Sequence, residues 1–342
     1  RGVRYSVMAV PPYVRVSPPG GIASWRSCST PSTCAKGTAS QASATRAFID
    51  RDAEIDAFNV TLDADADTEA KAISTSYVTF AGLADIVAAS VKAVAAHDTE
   101  AYVGDDVTLT LSGALHVDAR AATTATPLSN ANSLSLGVSY QNTDVALLLD
   151  ADTAAWIGDG GEITADSVKV KAEATHLAEA QIDTDGFAGL LAISDFSAEA
   201  TDSGSVAARI GPSGAGNSGD RAKVSATGPG GIDVDAILES SVTSSPDLGS
   251  YSLLASGGNT DAKAVNDASV TAEIGGWSVL EATSGDVDVL SKFTGFATAE
   301  AASTSVDLGV AVAFADADAI FSPNVDLTVG SNAEITTGGS GA

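Results

Sequence analysis

The stretch Ala155-Trp156-Ile157-Gly158-Asp159-Gly160-Gly161-Glu162-Ile163-Thr164-Ala165-Asp166-Ser167-Val168-Lys169-Val170-Lys171-Ala172 decides the fold. It joins a small-x-aliphatic-Gly anchor to an aliphatic-x-Ala step, a turn and a Val-x-Val strand. The anchor recurs as Ala101-Tyr102-Val103-Gly104, Ala208-Arg209-Ile210-Gly211 and Ala272-Glu273-Ile274-Gly275. Degenerate copies stand at Ala47-Phe48-Ile49-Asp50 and Ala319-Ile320-Phe321-Ser322, so successive anchor alanines lie 54, 54, 53, 64 and 47 residues apart. A period of this size marks a modular array, in which each unit is stable because its neighbours cover its apolar faces. Such an array suits a scaffold or binding surface better than a single enzymatic cleft.

The units stretch in one place only. From the closing alanines Ala64, Ala119, Ala172 and Ala236 to the next anchor the distances are 37, 36, 36 and 36 residues. The extra length of the longest unit falls in Gly211-Pro212-Ser213-Gly214-Ala215-Gly216-Asn217-Ser218-Gly219 and Gly228-Pro229-Gly230-Gly231, which have the composition of solvent loops. Elsewhere alternation with period two dominates, the signal of strands. In Val306-Asp307-Leu308-Gly309-Val310-Ala311-Val312-Ala313-Phe314 the large apolar side chains share one face and mostly small ones the other. Phe80 to Ala96 is rich enough in alanine to pass for a helix, but its place in the repeat is filled elsewhere by alternating segments such as Ala188 to Ala198, so it reads as strand. Turn clusters are expected at Thr184-Asp185-Gly186, Pro246-Asp247-Leu248-Gly249 and Ser256-Gly257-Gly258-Asn259.

The fold class is therefore all-β, a repetitive solenoid and most simply a parallel β-helix. Either three rungs of about 18 residues or two larger rungs fit one repeat. Antiparallel hairpins stacked along an axis, divided at Thr184 to Gly186, are the runner-up.

Composition narrows the partners. The 342 residues include 44 acidic against 17 basic, a formal net charge of −27. Such a surface repels nucleic acid and anionic lipid and favours divalent cations. No run approaches about 18 apolar residues, so no transmembrane helix is expected. Residues 1–45 stand apart, with five basic residues and no Asp or Glu, both cysteines (Cys28, Cys34), Met8 and five of the ten prolines. This segment reads as a distinct linker or cap, or as out-of-frame translation, and is expected to be disordered. A signal peptide fits less well because no apolar h-region is present. Residues 46–342 then form a solenoid of about five repeats. The chain starts with Arg1 and stops just after Gly338-Gly339-Ser340-Gly341, and reads as a piece of a larger polypeptide.

The pattern from Ala155 to Ala172 resembles the repeats of very large bacterial surface and secreted proteins, the leukotoxin-type filamentous adhesins and autotransporter-like passengers. The resemblance covers roughly residues 46–342. It implies a β-solenoid exported to the cell surface or medium, working in attachment, biofilm or host contact, with host-cell or matrix glycans and proteins as partners. The absence of cysteine beyond Cys34 agrees with an extracellular location.

Candidate chemistry is sparse. The three histidines, His97, His116 and His176, do not recur at one repeat position, and exposed or loop histidine is the expected role. No Gly-x-Ser-x-Gly constellation points to a serine hydrolase. Gly214-Ala215-Gly216-Asn217-Ser218-Gly219 matches Gly-x-Gly-x-x-Gly, but a strand follows it rather than the helix a dinucleotide needs. Calcium is the one cofactor worth weighing. Asp63, Asp65 and Asp67 share one strand face, Asp316 and Asp318 repeat the idea, and Asp105, Asp106 and Asp159 lie in turns. The functional expectation is a structural or adhesive passenger without catalysis of its own. The alternative, a β-helix enzyme acting on polysaccharide, requires clustered Asp, Lys and Arg, and the basic residues do not cluster.

Overall fold

The computed structural model describes residues 32–78, 83–214, 216–219 and 221–338. These wind into three sheets with strands of successive repeats paired in parallel, which is a β-solenoid of the parallel β-helix type. Sheet A holds Ser32–Ile49, Ala84–Val103, Val138–Leu149 with Asp152–Ile157, Leu191–Asp202 with Ser205–Ile210, Ala255–Asn266 with Ser269–Ile274, and Val310–Phe321 with Asn324–Val329. Sheet B is short: Glu54–Ala57, Thr108–Leu111, Glu162–Ala165, Lys223–Ala226, Val279–Ala282 and Glu334–Thr337. Sheet C holds Val60–Ala70 with Ile73–Val78, Ala114–Ala125 with Leu128–Ser135, Ser167–Ala188, Ile232–Ser252, and Val287–Ala299 with Ala302–Val306. Of the stretch Phe80 to Ala96, residues 84–96 are strand within Ala84–Val103, Leu83 is in a turn, and residues 80–82 lie outside the described residues.

One repeat is one coil, running A to B to C and back to A. It is neither three rungs nor two. Strands average about five or six residues, so a sequence reading divides 54 residues into several rungs; here single strands reach 22 residues, as in Ser167–Ala188. The supposed turns at Thr184 to Gly186, Pro246 to Gly249 and Ser256 to Asn259 lie inside strands. This removes the antiparallel-hairpin alternative. The genuine extra loops are those at 211–214, 216–219 and 221–222, and at 227–231, where the longest repeat was expected to stretch.

The register is exact enough to correct the anchors. Ala47 pairs with Ala101, Ala101 with Ala155, Ala155 with Ala208 and Ala208 with Ala272. Ala272 then pairs with Leu327, so the sixth anchor is Leu327-Thr328-Val329-Gly330. Ala319 instead pairs with Ala264, because the apolar alternation of that strand imitates an anchor one half-strand early. The division at residue 45 also falls inside a strand, since Ser32–Ile49 pairs in register with 86–103. Residues 1–31 lie outside the described residues.

The anchor motif has a steric origin. It ends sheet A at a corner where backbones of successive coils come very close. A Cβ on Gly158 would lie 2.8 Å from the carbonyl carbon of Gly104 and 2.9 Å from the Asp105 nitrogen. Two residues on, the chain turns into sheet B through a left-handed residue at five corners, Asp52, Asp106, Gly160, Trp277 and Asn332, while at the fourth corner Gly211 itself takes that conformation. The aliphatic residues before the glycines, Val103, Ile157, Ile210 and Ile274, are fully buried in the apolar cluster at this end of the coil.

Gly158→Ala is expected to destabilise the chain by about 1–3 kcal/mol, because fixed backbone cannot yield to the new methyl. Gly257→Ala, whose added Cβ meets nothing nearer than 3.9 Å, should lie within about 0.5 kcal/mol of wild type. Chemical denaturation of both variants checks the pair, and equal losses would show that the corner is not the constraint.

Candidate functional site

The interior is banded across each coil. An apolar cluster fills the end near sheet B, and a second, including Val145, Leu147, Ile182, Phe196 and Leu248, fills the middle of the two long sheets. Between them lies a polar layer. The in-register positions Ala95, Leu149, Asp202 and Asn266 of sheet A face Thr68, Thr123, His176 and Ser240 of sheet C. His176 Nδ1 is 3.1 Å from both carboxylate oxygens of Asp202, and both side chains are 0% exposed. Ser240 Oγ donates to Asp202 Oδ2, the Gly204 amide donates to Oδ1 at 3.0 Å, and Asn266 Nδ2 donates to Ser240 Oγ at 2.8 Å.

A serine, a histidine and an aspartate thus converge, but their order is not that of a nucleophilic triad. The serine hydroxyl is held by the carboxylate rather than by the imidazole, so the histidine is not placed to take its proton. What the cluster does is tie sheet C to sheet A between coils. Histidine identity gave no hint of this in the sequence: His176 was expected on the surface or in a loop, and is buried mid-strand, as is His97. The usable signal was positional, since His176 occupies the column of Thr68 and Thr123, which hydrogen-bond to each other at 3.1 Å.

Two buried aspartates are shifted in opposite directions. Burial alone would raise Asp202, but the hydrogen bond and charge of His176, with Ser240 and Gly204, bring it below its ordinary value of 3.8. Burial pushes Asp85 above 3.8, and neither carboxylate oxygen has a hydrogen-bond partner among the described residues. The signs follow. The Asp202 contribution is complete above pH 3.8 and is lost as pH falls through its depressed folded value, whereas ionised Asp85 costs stability that acidification relieves.

The outer faces carry the accessible chemistry. The acidic residues read as calcium candidates do not come together. Asp63, Asp65 and Asp67 project outward from the first sheet C strand, while Asp316 and Asp318 lie on the last long strand of sheet A, at the opposite end of the stack. Alternate residues of one strand are roughly 7 Å apart, and Arg120 already stands 3.9 Å from Asp63 and 3.5 Å from Asp118. Among the described residues no group of three or more His, Cys, Asp or Glu is placed to hold a metal ion. Asp105 accepts from the Asp159 amide at 3.1 Å, so its carboxylate serves the stacked corner.

The outer surface of sheet A gathers polar groups from several coils. Asn259 Nδ2 donates to Asp195 at 3.3 Å and to Asp261 at 3.0 Å, and Lys263 pairs with Glu199 at 2.8 Å. Burial, and then the Asp195 charge, push Asp144 above 3.8. Beside this patch, the missing side chain of Gly257 leaves a notch of ≈ 310 Å³ bordered by Tyr140, Ile193, Asn259, Val312 and Phe314. On the same sheet nearer the corner, Phe48, Tyr102 and Trp156 stack face to face at 5.2 and 4.4 Å, so their ring faces cover one another. The described residues contain no helix long and apolar enough to cross a membrane. No protein family, curated protein or solved structure matches the chain.

Asp202→Leu, which copies Leu149 one coil earlier, should lower stability by about 1–3 kcal/mol by leaving His176 buried without its partner. Adding His176→Thr, which copies Thr123, should recover most of that loss. Asp85→Ser, matching Ser139 in the next coil, should raise the melting temperature at pH 7 and reduce its rise on mild acidification, the part left being that of Asp144 and Asp233, which are shifted the same way. Thermal melts from pH 3 to 8 test all three.

Proposed function

We propose that this chain is a stiff structural and adhesive segment of a large bacterial cell-surface or secreted protein. The supporting observation is the continuous in-register stack, with one repeat per coil, from Ser32 to Thr337. Hydrogen bonds run along the stack axis through all three sheets, so a load applied along the axis is shared by many bonds at once. Coils add length at about 4.8 Å each without changing the cross-section, which is what a spacer between a cell and its target requires. The ladders of Asp, Asn, Ser and Thr on the outer face of sheet A, beside the notch at Gly257, offer repeated hydrogen-bonding groups to neutral glycans or proteins.

Surface exposure is the property that decides this reading. Antibodies raised against the purified chain should label intact cells of the source organism, or its culture medium. Labelling confined to lysed cells, with none in the medium, would overturn the assignment.

A further inference from the structure

At the edge of the coil opposite sheet B, where sheet C turns back into sheet A, the polarity of the solenoid is inverted. The side chains pointing inward there are mostly small or polar: Asp85, Ser139, Gln141, Ser194 and Ser256 from sheet A, and Ser129, Ser133, Ser135, Thr184, Ser250 and Ser252 from sheet C are all buried, with Val87 in the column of Gln141 and Leu248 in the column of Thr184 as apolar exceptions. Some bond to one another, as in Ser133 with Ser139 at 2.7 Å and Gln141 Nε2 donating to Ser133 Oγ. The side chains pointing outward are large and apolar. Each turn carries an outward leucine, Leu83, Leu136, Leu190, Leu253 and Leu308, and at the turns with a coil on both sides Leu136 is 55%, Leu190 48% and Leu253 49% exposed. Leu134, Phe187, Tyr251 and Val306 flank the turns on sheet C, and Val138, Tyr140, Ile193 and Val312 flank them on sheet A.

Crowding explains only half of this. The two sheets converge at the edge, and a Cβ on Gly258 would lie 2.7 Å from Leu248 Cδ2, so a large inward side chain on one sheet leaves room only for a small residue opposite it. Nothing steric requires the outward ones to be apolar. Nor are the leucines simply stacking on one another. Gly137, Gly189 and Gly309 lie against the carbonyls of Leu83, Leu136 and Leu254, so at those steps the next coil offers no side chain in register. Contiguous exposed apolar surface of this kind marks a contact site.

We infer that this edge inserts into the surface of a zwitterionic lipid bilayer. Its shape is a convex ridge, roughly 20 Å long over five coils and about 10 Å across its tip. Two such ridges meeting edge to edge bury a few hundred Å² per copy, short of the ~800 Å² per partner of a standard interface. A fluid apolar phase, by contrast, closes around a ridge and covers both shoulders. The apolar band ends on both faces within roughly 10 Å of the tip, the depth to which interfacial segments sink. Tyr140 and Tyr251 stand at that boundary, the level tyrosine favours at a membrane surface. Beyond it the outward positions become polar and acidic, with Asn142, Asp195 and Asn259 on sheet A, where Phe314 is the exception, and Asn132 and Asp185 on sheet C. With a net charge of −27 these carboxylates suit the outer choline charges of phosphatidylcholine and oppose an anionic leaflet. The inference is independent of the surface-protein reading, because it rests on the edge alone.

Flotation of the whole chain with phosphatidylcholine vesicles tests it. Wild type is expected to float with phosphatidylcholine alone, and several-fold less with an equal mixture of phosphatidylcholine and phosphatidylglycerol at low salt. The triple variant Leu136→Ser, Leu190→Ser, Leu253→Ser should lose about tenfold or more of the bound fraction while keeping the wild-type circular dichroism melt. If the triple variant melts early, Leu190→Ser alone must still bind measurably less. Wild type that stays at the bottom of the gradient overturns the inference, as does a folded triple variant that floats equally well. A wild-type dimer in sedimentation that the triple variant breaks, without flotation, would make the edge a self-association surface and equally overturn it.

Discussion

Everything in this structure depends on one constraint: each residue stacks, through parallel backbone hydrogen bonds, on its equivalent one coil away. A column such as Ala47, Ala101, Ala155, Ala208 and Ala272 is a string of contacts between residues more than fifty positions apart. A substitution is therefore judged by the two coils above and below it. The corner glycines follow from this, because backbones stacked at a tight corner leave no room for a methyl group. So does the confinement of the insertion to 211–214, 216–219 and 221–222, and to 227–231, since loops outside the sheets leave the columns undisturbed.

The same constraint governs polar groups in the interior. Asp202 and His176 each replace an uncharged residue of the preceding coil, Leu149 and Thr123, and they do so together. Either alone would leave a buried charge or donor unmatched, which costs more than the pair contributes. Asp85 is the counterexample within the same chain. Its neighbour in the column is Ser139, its carboxylate has no hydrogen-bond partner among the described residues, and burial raises its pKa rather than lowering it. Paired and unpaired burial of one residue type give opposite dependence on pH.

How much of this was legible in the sequence follows from what each signal measures. The period was legible because Gly104, Gly158, Gly211 and Gly275 recur at one corner of successive coils, where an added side chain would meet the neighbouring coil. The number of coils per repeat was not, since Thr184 to Gly186 and Ser256 to Asn259 have turn composition for a different reason: small residues are needed where two sheets converge. His176 was invisible because its role depends on Asp202, a residue distant in sequence and unremarkable alone. The acidic runs at Asp63 to Asp67 and Asp316 to Asp318 were legible as outward faces, yet their separation to opposite ends of the stack is a property of topology.

Alternation itself carries the deepest ambiguity. In Leu134-Ser135-Leu136-Gly137-Val138-Ser139-Tyr140-Gln141 the two faces are plain, and an ordinary reading turns Leu, Val and Tyr inward. The structure turns Ser135, Ser139 and Gln141 inward instead. Period two reports that the faces differ, and only packing space decides which one is the interior. In the middle of the coil the sheets stand far enough apart to hold Phe196 and Leu147, and the apolar face goes in. At the converging edge few large side chains fit, Val87 and Leu248 among them, and most of the apolar face is driven out. A soluble solenoid could then have made that outer face polar, as it does a few residues away at Asn142 and Asp195. The retention of leucine at every turn of the edge is what the geometry of the coil leaves unexplained, and it is why that edge, rather than any cleft, is the surface on which a partner is best sought.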